Sequence, residues 1–200
     1  MIPILGIVGG IGSGKSLVAE AMRACGGHLI SADQLGHEAL EQPDIKAKLV
    51  ARWGDAILDD DGKANRKQIG RRVFADRREL DALEKLVFPY IEMRILEEIA
   101  RARTQSGVKC IILDAAIMIE TGWHRHCDKL VFVDAPRELR LARLKEKRGW
   151  DEKEVERREA MQQPADEKKR HAHAVIVNDG EPDKVVRQVK DLLVLWKVIC

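Results

Sequence analysis

The chain has 200 residues, of which 45% are hydrophobic, so it can build one globular domain with a substantial core. Its 35 Lys and Arg residues nearly balance 33 Asp and Glu residues, and a net charge of +2 gives no reason to expect nucleic acid as the main partner. No apolar run approaches the ~18 residues that span a bilayer, and the opening MIPILGIVGG lacks the basic start of a signal peptide. The four cysteines form no CxxC pair and are expected to be reduced thiols. We therefore expect a soluble, cytoplasmic protein with no membrane partner.

Five short apolar runs predict strands, and helical patterns separate them. In chain order, the predicted strands are Ile2–Val8, His28–Ser31, Lys109–Asp114, Lys129–Asp134 and Ala174–Val177. The predicted helices are Lys15–Ala24, Leu80–Arg103, Leu139–Lys147, Glu152–Met161 and Pro182–Val198. Alternation of strands and helices is typical of βαβ units. We predict an α/β fold with a five-stranded parallel sheet flanked by helices.

The second and third predicted strands are separated by far more sequence than one crossover helix needs. This spacing predicts a helical insertion over about residues 35–104, placed at the carboxyl edge of the sheet where it can cover a substrate. We interpret the whole chain, residues 1–200, as a single domain that carries this insertion.

A glycine-rich segment follows the first predicted strand and matches G-x-x-x-x-G-K-[ST] at every position. It reads Gly9-Gly10-Ile11-Gly12-Ser13-Gly14-Lys15-Ser16, and it is called the P-loop below. In this motif, glycines let backbone N–H groups point at phosphate oxygens, and the positive end of the following helix adds to the attraction. We expect Lys15 to reach the β- and γ-phosphates and Ser16 to supply a hydroxyl to Mg²⁺. The segment predicts a nucleotide site, and because no N-K-x-D guanine motif is present, ATP is favoured over GTP.

Two carboxylates follow predicted strands, at the edge of the sheet where ligands bind in open α/β folds. Asp33 comes just after the second strand and is a candidate general base for an acceptor hydroxyl, or alternatively a cap of the helix that starts near Gln34. Asp114 ends the third strand and resembles a carboxylate that holds Mg²⁺ through water, although the pattern is short and common. With the P-loop, Asp33 favours a kinase that transfers the γ-phosphoryl group of ATP to a small molecule.

A run of basic residues follows the fourth predicted strand. Its members are Arg137, Arg140, Arg143, Lys145, Lys147 and Arg148. Since Arg140, Arg143 and Lys147 recur at helical spacing, they are expected to share one face. Kinases use such cations to close over phosphates, so we predict a lid at about residues 137–165; the alternative is a solvated helix face.

Three possible zinc ligands, His124, His126 and Cys127, lie close together in the sequence. Because no fourth ligand is evident elsewhere in the chain, the stretch is interpreted as an exposed loop rather than a metal site.

Several further segments occur in the order and spacing of one known family. They are Gly6–Ser16, Ser31-Ala32-Asp33, Gly70-Arg71-Arg72-Val73-Phe74, Phe88-Pro89-Tyr90-Ile91, Ile117-Met118-Ile119-Glu120-Thr121-Gly122 and Val133-Asp134-Ala135-Pro136. The spacing of Arg158, Gln162, Pro164, Glu167, Lys168 and Asn178 matches as well. Each segment alone is weak, but together they are specific: over nearly its whole length the chain resembles dephospho-CoA kinase.

The resemblance implies a nucleoside-monophosphate-kinase-like fold and transfer of phosphate from ATP to the ribose 3′-hydroxyl of dephospho-CoA, the last step of coenzyme A biosynthesis. It implies that Asp33 takes the hydroxyl proton, that Lys15 holds phosphates and Ser16 holds Mg²⁺, that Arg143 belongs to the lid, and that Asn178 lies near the adenine. It also implies a helical insertion that binds the CoA part of the substrate.

Five residues depart from the family pattern. Val8 replaces Thr, Phe88 replaces His, Ala116 replaces Pro, Lys147 stands in place of Arg, and His173 replaces Asp. Because the P-loop and Asp33 are kept, the chemistry is expected to be intact, and the departures bear on acceptor binding.

Two alternatives stay open on the sequence alone. One is another small-molecule kinase of the nucleoside-monophosphate type, and the large insertion and the late Asn178 argue against it. The other is a protein that binds ATP as a regulatory ligand without transferring phosphate, and retention of Lys15, Ser16 and Asp33 argues against that. A monomer is expected because no long exposed apolar stripe is visible.

Overall fold

A computed structural model describes all residues, Met1–Cys200, and contains five strands. They are β1 (Ile4–Gly9), β2 (Gly27–Ser31), β3 (Cys110–Asp114), β4 (Lys129–Asp134) and β5 (Ala174–Val177). The strands form one sheet in the order β2-β3-β1-β4-β5, and every neighbouring pair is parallel. The predicted five-stranded parallel sheet is confirmed, with strand ends that shift by one or two residues.

The burial of the strands explains why the apolar runs in the sequence predicted them. All six residues of β1 are buried, and so are the first four of β3. Central strands of a parallel sheet are covered on both faces, so they are apolar throughout. In contrast, only Ile176 of β5 is buried, because β5 lies at an edge of the sheet.

Nine α-helices connect and cover the strands. They are α1 (Lys15–Ala24), α2 (Ala32–Glu41), α3 (Pro43–Trp53), α4 (Arg66–Val73), α5 (Arg77–Thr104), α6 (Arg137–Arg148), α7 (Glu152–Glu159), α8 (Ala165–Arg170) and α9 (Pro182–Leu195). Short 3₁₀ turns occupy Asp55–Ile57 and Trp123–His126. The predicted helices are all present, although α5 starts three residues before the predicted Leu80 and α9 ends three residues before the predicted Val198. None of the helices combines the length and apolar content required of a membrane span.

The chain divides into two units. The first contains Met1–Ser31 and Glu98–Cys200, which together form the sheet and its covering helices. Its core joins apolar residues of β1 and β4 to one face each of α1 and α9. These are Leu5, Ile7, Val131, Val133, Val18, Met22, Val185, Val189 and Leu193. The spacing of the buried residues on α9, from Val185 to Val189 to Leu193, places them on one helical stripe.

The second unit, Ala32–Glu97, is helical. It buries apolar residues of α2, α3, α4 and α5, among them Leu35, Leu49, Trp53, Ile69, Val87 and Ile91. The Glu79 carboxylate accepts hydrogen bonds from Trp53 Nε1 at 2.6 Å and from Arg52 Nε at 2.7 Å, which ties α3 to the first turn of α5. The predicted interval of residues 35–104 overlaps this unit.

Candidate active site

The P-loop leaves the carboxyl end of the central strand β1 and runs directly into α1. Gly12 and Gly14 have φ angles of +76° and +95°, a backbone conformation that glycine adopts at little cost. A Cβ at Gly12 would lie 3.0 Å from Leu144, and a Cβ at Gly14 would collide with the amide nitrogen of Asn178. The glycines of the motif are therefore required by both backbone conformation and space.

Positive charge converges on this loop. Gly14 stands at the N-cap of α1 and provides no side-chain cap, so no capping side chain competes with an anion at the positive dipole end of the helix. Lys15 Nζ lies 3.2 Å from the carbonyl oxygen of Gly9 and 3.3 Å from that of Gly10, which holds the ammonium over the loop. Ser16, the second residue of α1, is exposed. The arrangement is suited to binding a polyphosphate.

Two of the basic residues of α6, Arg140 and Arg143, reach the loop. Arg140 Nη1 donates to the carbonyl oxygen of Ile11 at 3.1 Å. Arg143 Nη2 donates to Oδ1 of Asn178 at 2.9 Å, and Asn178 Nδ2 donates to the carbonyl oxygen of Ser13 at 2.8 Å. Lys147, expected on the same face, is instead exposed near the end of α6.

The α6 arginines also pair with acidic residues of α7. Arg137 lies 3.0–3.3 Å from the carboxylates of Glu152, Glu156 and Glu159, and Arg140 lies 2.5 Å from Glu159. The hydrogen bond that Arg137 donates to Glu152 is the main reason that the pKa of Arg137 is raised. Helices α6 and α7, which make up most of the predicted lid, are thus joined by one ion-pair network.

Asp33 is exposed in the first turn of α2. Since α2 already begins at Ala32, the alternative that Asp33 caps a helix starting near Gln34 is wrong. One turn along the same helix stands His37, whose two ring nitrogens lie 2.9 Å and 2.8 Å from Arg66 Nη1. Burial and the Arg66 charge lower the pKa of His37, and the nearby negative charge of Asp33 partly offsets them.

Asp114 is the last residue of β3 and pairs in register with Ile7 of β1, two residues before the P-loop begins. Its carboxylate and the P-loop therefore belong to the same edge of the sheet. Carboxylate and hydroxyl oxygens such as those of Asp114 and Ser16 are the donors that Mg²⁺ prefers in proteins.

Comparison with known proteins identifies the family. A family model described as dephospho-CoA kinase matches residues 3–184. The chain belongs to the dephospho-CoA kinase family. The dephospho-CoA kinase of Geobacter metallireducens is 38% identical over 195 residues, covering 97% of this chain and 95% of the relative. A crystal structure of a Thermus thermophilus protein is 31% identical, covers 97% of both chains and superposes with a TM-score of 0.80.

The solved dephospho-CoA kinase of Campylobacter jejuni shares the fold, with a TM-score of 0.71 at 22% identity over 96% of each chain. The resemblance inferred from the motifs is confirmed. As a member of the dephospho-CoA kinase family the chain is an enzyme, a nucleotide-dependent phosphotransferase. The alternative of a purely regulatory ATP-binding protein is set aside.

A buried ion pair connects two of the family segments. Lys168 is 2% exposed, and its ammonium donates to Glu120 Oε1 at 2.8 Å, Gln162 Oε1 at 3.0 Å and the carbonyl oxygen of Ala116 at 2.9 Å. Glu120 Oε1 also accepts the backbone N–H of Gln163 at 2.9 Å. Sequence spacing brought both Lys168 and Glu120 into the family pattern but gave no sign that they are partners. The pair fixes α8 to the segment that follows β3, and the bonds of Gln162 and Gln163 attach the connection between α7 and α8 to the same place.

Two of the departures from the family pattern keep a contact in the structure. His173 Nδ1 accepts the backbone N–H of Leu130 at 3.0 Å, an acceptor role that the carboxylate of an Asp can also perform. Lys168 bonds the backbone carbonyl of Ala116, a group that Pro supplies equally well. Val8, in contrast, is buried in β1 and carries no hydroxyl.

The possible zinc ligands His124, His126 and Cys127 form no metal-binding group in the structure. The prediction of an exposed loop here is wrong, because Trp123–His126 is a 3₁₀ turn that buries Trp123 to 2% exposure. Burial raises the pKa of the Cys127 thiol to about 12, so it is unsuited to act as a thiolate ligand.

Proposed function

We propose that this protein transfers the γ-phosphoryl group of ATP to the ribose 3′-hydroxyl of dephospho-CoA, giving CoA and ADP. The observation that carries the proposal is the complete P-loop at the end of the central strand β1, with the Lys15 ammonium held over it, in a chain of the dephospho-CoA kinase family. The identity of the acceptor, dephospho-CoA, is inferred from the name of the relatives.

The P-loop binds the phosphates of ATP in this proposal. Backbone N–H groups of the loop and of the start of α1 surround them, except that of Ser13, which donates to the carbonyl oxygen of Gly10. Lys15 neutralises charge on the β- and γ-phosphates. Arg143, which already touches the loop through Asn178, adds positive charge beside the transferred group. Fixed charges of this kind stabilise the transition state because they need no reorganisation during the reaction.

Ser16 and Asp114 fit Mg²⁺ by the chemistry of their oxygens and by their place at one edge of the sheet, so we propose that they hold the ion with ATP. When bound, the ion supplies charge neutralisation at the β- and γ-phosphate oxygens.

Asp33 acts as the general base. Its exposure leaves the carboxylate accessible to an acceptor hydroxyl. In the transfer, the bond between ribose O3′ and the γ-phosphorus forms, and the bond from that phosphorus to the β,γ-bridging oxygen breaks. The hydroxyl proton passes to the Asp33 carboxylate, and ADP leaves.

Other parts of the proposal concern organisation. The helical segment of about residues 35–104 would bind dephospho-CoA, and α6 and α7, within residues 137–165, would form the lid. Four free cysteines fit a reducing compartment such as the cytoplasm. We propose a monomer that uses neither nucleic acid nor a membrane as partner.

A coupled assay of ADP release tests the function, with dephospho-CoA, AMP, CMP and adenosine as separate acceptors. Turnover with dephospho-CoA alone is expected, whereas turnover with another acceptor alone would replace the substrate. Asp33→Asn is expected to lower kcat by about 10²–10⁴-fold with little change in ATP affinity. Asp44→Asn is the matched control, because Asp44 is an exposed Asp in the first turn of the next helix, α3. Equal rates for the two variants would remove Asp33 as the base.

A further inference from the structure

Asn178 is the first residue after β5 and is 2% exposed. Its backbone N–H donates to the carbonyl oxygen of Asp134 at 2.7 Å, which continues the β4–β5 pairing by one residue. Its side chain bridges the P-loop and α6: Nδ2 donates to the carbonyl oxygen of Ser13 at 2.8 Å, and Oδ1 accepts from Arg143 Nη2 at 2.9 Å. Arg143 Nη1 lies 3.5 Å from the same Ser13 oxygen.

The two partners determine how the amide is oriented. A backbone carbonyl can only accept and a guanidinium can only donate, so nitrogen must face Ser13 and oxygen must face Arg143. No other side chain of this size offers a donor and an acceptor in these positions, because Asp has two acceptors and Leu has neither. Each end of the amide is engaged by a neighbour and the residue is 2% exposed, so little of the side chain is accessible to a nucleotide base.

The contact with Ser13 decides which way a loop N–H points. In a planar trans peptide the carbonyl oxygen of one residue and the N–H of the next point in opposite directions. Asn178 holds the Ser13 oxygen, so the Gly14 N–H is directed to the other side of that peptide, away from Asn178. Gly14, with φ at +95°, has the freedom to rotate this peptide if nothing holds it.

We propose that Asn178 is a positioning residue for the triphosphate of the nucleotide, and that it acts by fixing the Ser13–Gly14 peptide and the Arg143 guanidinium rather than by recognising adenine. The inference rests on the proposed binding of ATP and replaces the adenine role that the family resemblance implied for this residue.

The experiment separates phosphate binding from base recognition. Asn178→Asp keeps the size and the acceptor for Arg143 but loses the donor to Ser13, and Asn178→Leu loses both. For each variant, kcat/KM is measured with ATP and with ITP, which differ only in the base, and inorganic tripolyphosphate is used as a competitive inhibitor that has no base. All rates are taken below the unfolding temperature of each variant, measured by circular dichroism.

We expect the inhibition constant of tripolyphosphate to rise about tenfold in Asn178→Leu, the size of effect typical of losing hydrogen bonds around a charged group. The KM values for ATP and ITP should rise by the same factor, so that the ATP-to-ITP ratio of kcat/KM is unchanged. Asn178→Asp should change the same three constants in the same direction. If Asn178→Leu does not fold, the constants of Asn178→Asp alone test the positioning role.

Gln188→Glu is the matched control. The Gln188 amide also donates to a backbone carbonyl and accepts from a backbone N–H, both belonging to Val177, the residue next to Asn178, but it does not touch the P-loop. Its loss should lower the melting temperature and leave tripolyphosphate inhibition unchanged.

A changed ATP-to-ITP ratio with unchanged tripolyphosphate inhibition would overturn the inference in favour of base recognition. Unchanged constants in both Asn178 variants would overturn it as well. If the unaltered protein neither turns over ATP nor binds tripolyphosphate, the proposed function fails first and the inference fails with it.

Discussion

Replacing Lys168 with Met tests the buried ion pair. Met keeps most of the apolar stem but removes three hydrogen bonds, to Glu120, Gln162 and the carbonyl oxygen of Ala116. Removing one partner of a buried pair costs about 3–5 kcal/mol when the remaining charge has no other partner. Here the Glu120 side chain is 20% exposed and keeps the N–H of Gln163, so we expect about 2–3 kcal/mol.

For a chain of this length, that loss corresponds to a fall in Tm of about 4–12 °C. Thermal unfolding followed by calorimetry or circular dichroism measures it. Adding Glu120→Gln to Lys168→Met removes the unpaired charge and should recover part of the loss.

The neighbouring residue provides the control. Lys169 pairs with Asp134 at the same distance, 2.8 Å, but both side chains are 44% exposed. Water screens such a pair, so Lys169→Met should leave Tm close to that of the unaltered protein. Equal falls in Tm for the two Lys→Met variants would refute the argument, because Lys168 differs from Lys169 in its burial and in its two further acceptors, Gln162 and the carbonyl oxygen of Ala116.

Two further predictions concern the site. The pKa of His37 should be below its usual 6.5 by NMR titration, and Asp33→Asn should lower it further because the carboxylate is the group that raises it. Since folding lowers this pKa, the unfolded chain binds the proton more tightly than the folded protein does. The folded state is therefore more stable above pH 6.5 and loses this contribution as the pH falls. In His37→Gln, the free energy of unfolding should depend less on pH in this range. Gly14→Ala should abolish nucleotide binding, because a Cβ at this residue, whose φ is +95°, would collide with Asn178. Gly149→Ala is the control: its φ is +67° but open space surrounds it, so it should cost only about 1 kcal/mol of stability. Equal nucleotide affinity of both variants, measured by titration calorimetry, would contradict the prediction.

The sheet was predictable because it is parallel and its central strands are buried on both faces. A continuous apolar run such as that of β3 is typical of a strand buried on both faces. The long stretch of sequence between β2 and β3 indicated where the helical segment begins. The strand order was not predictable from these runs, because an apolar run carries no information about which neighbour it pairs with. Helix ends differed where a cap could not be recognised, as at α5, whose first turn accepts Trp53 and Arg52 through Glu79.

The P-loop was predictable for a different reason: its backbone conformation requires glycine at particular positions, so the spacing of glycines in the sequence indicates that conformation. Contacts to backbone carbonyls require no particular residue type and cannot be predicted in this way. Nothing in the sequence indicates that Arg140 bonds Ile11 or that Asn178 bonds Ser13, because any residue could supply those carbonyl oxygens. The sequence likewise does not indicate which distant charges form ion pairs, and only the structure shows that Lys168 pairs with Glu120.

The same reasoning explains why a comparison of residue types overstates some departures from the family pattern. At position 116 the group in contact is the carbonyl oxygen, which Lys168 bonds whether the residue is Ala or Pro. At position 173 an imidazole nitrogen accepts the Leu130 N–H as a carboxylate oxygen can. At position 8 no equivalent group exists, since buried Val8 cannot replace the hydroxyl of Thr beside the loop. Among these three departures, Val8 is therefore the one that changes which polar groups surround the P-loop, and Val8→Thr is the substitution most directly relevant to nucleotide binding.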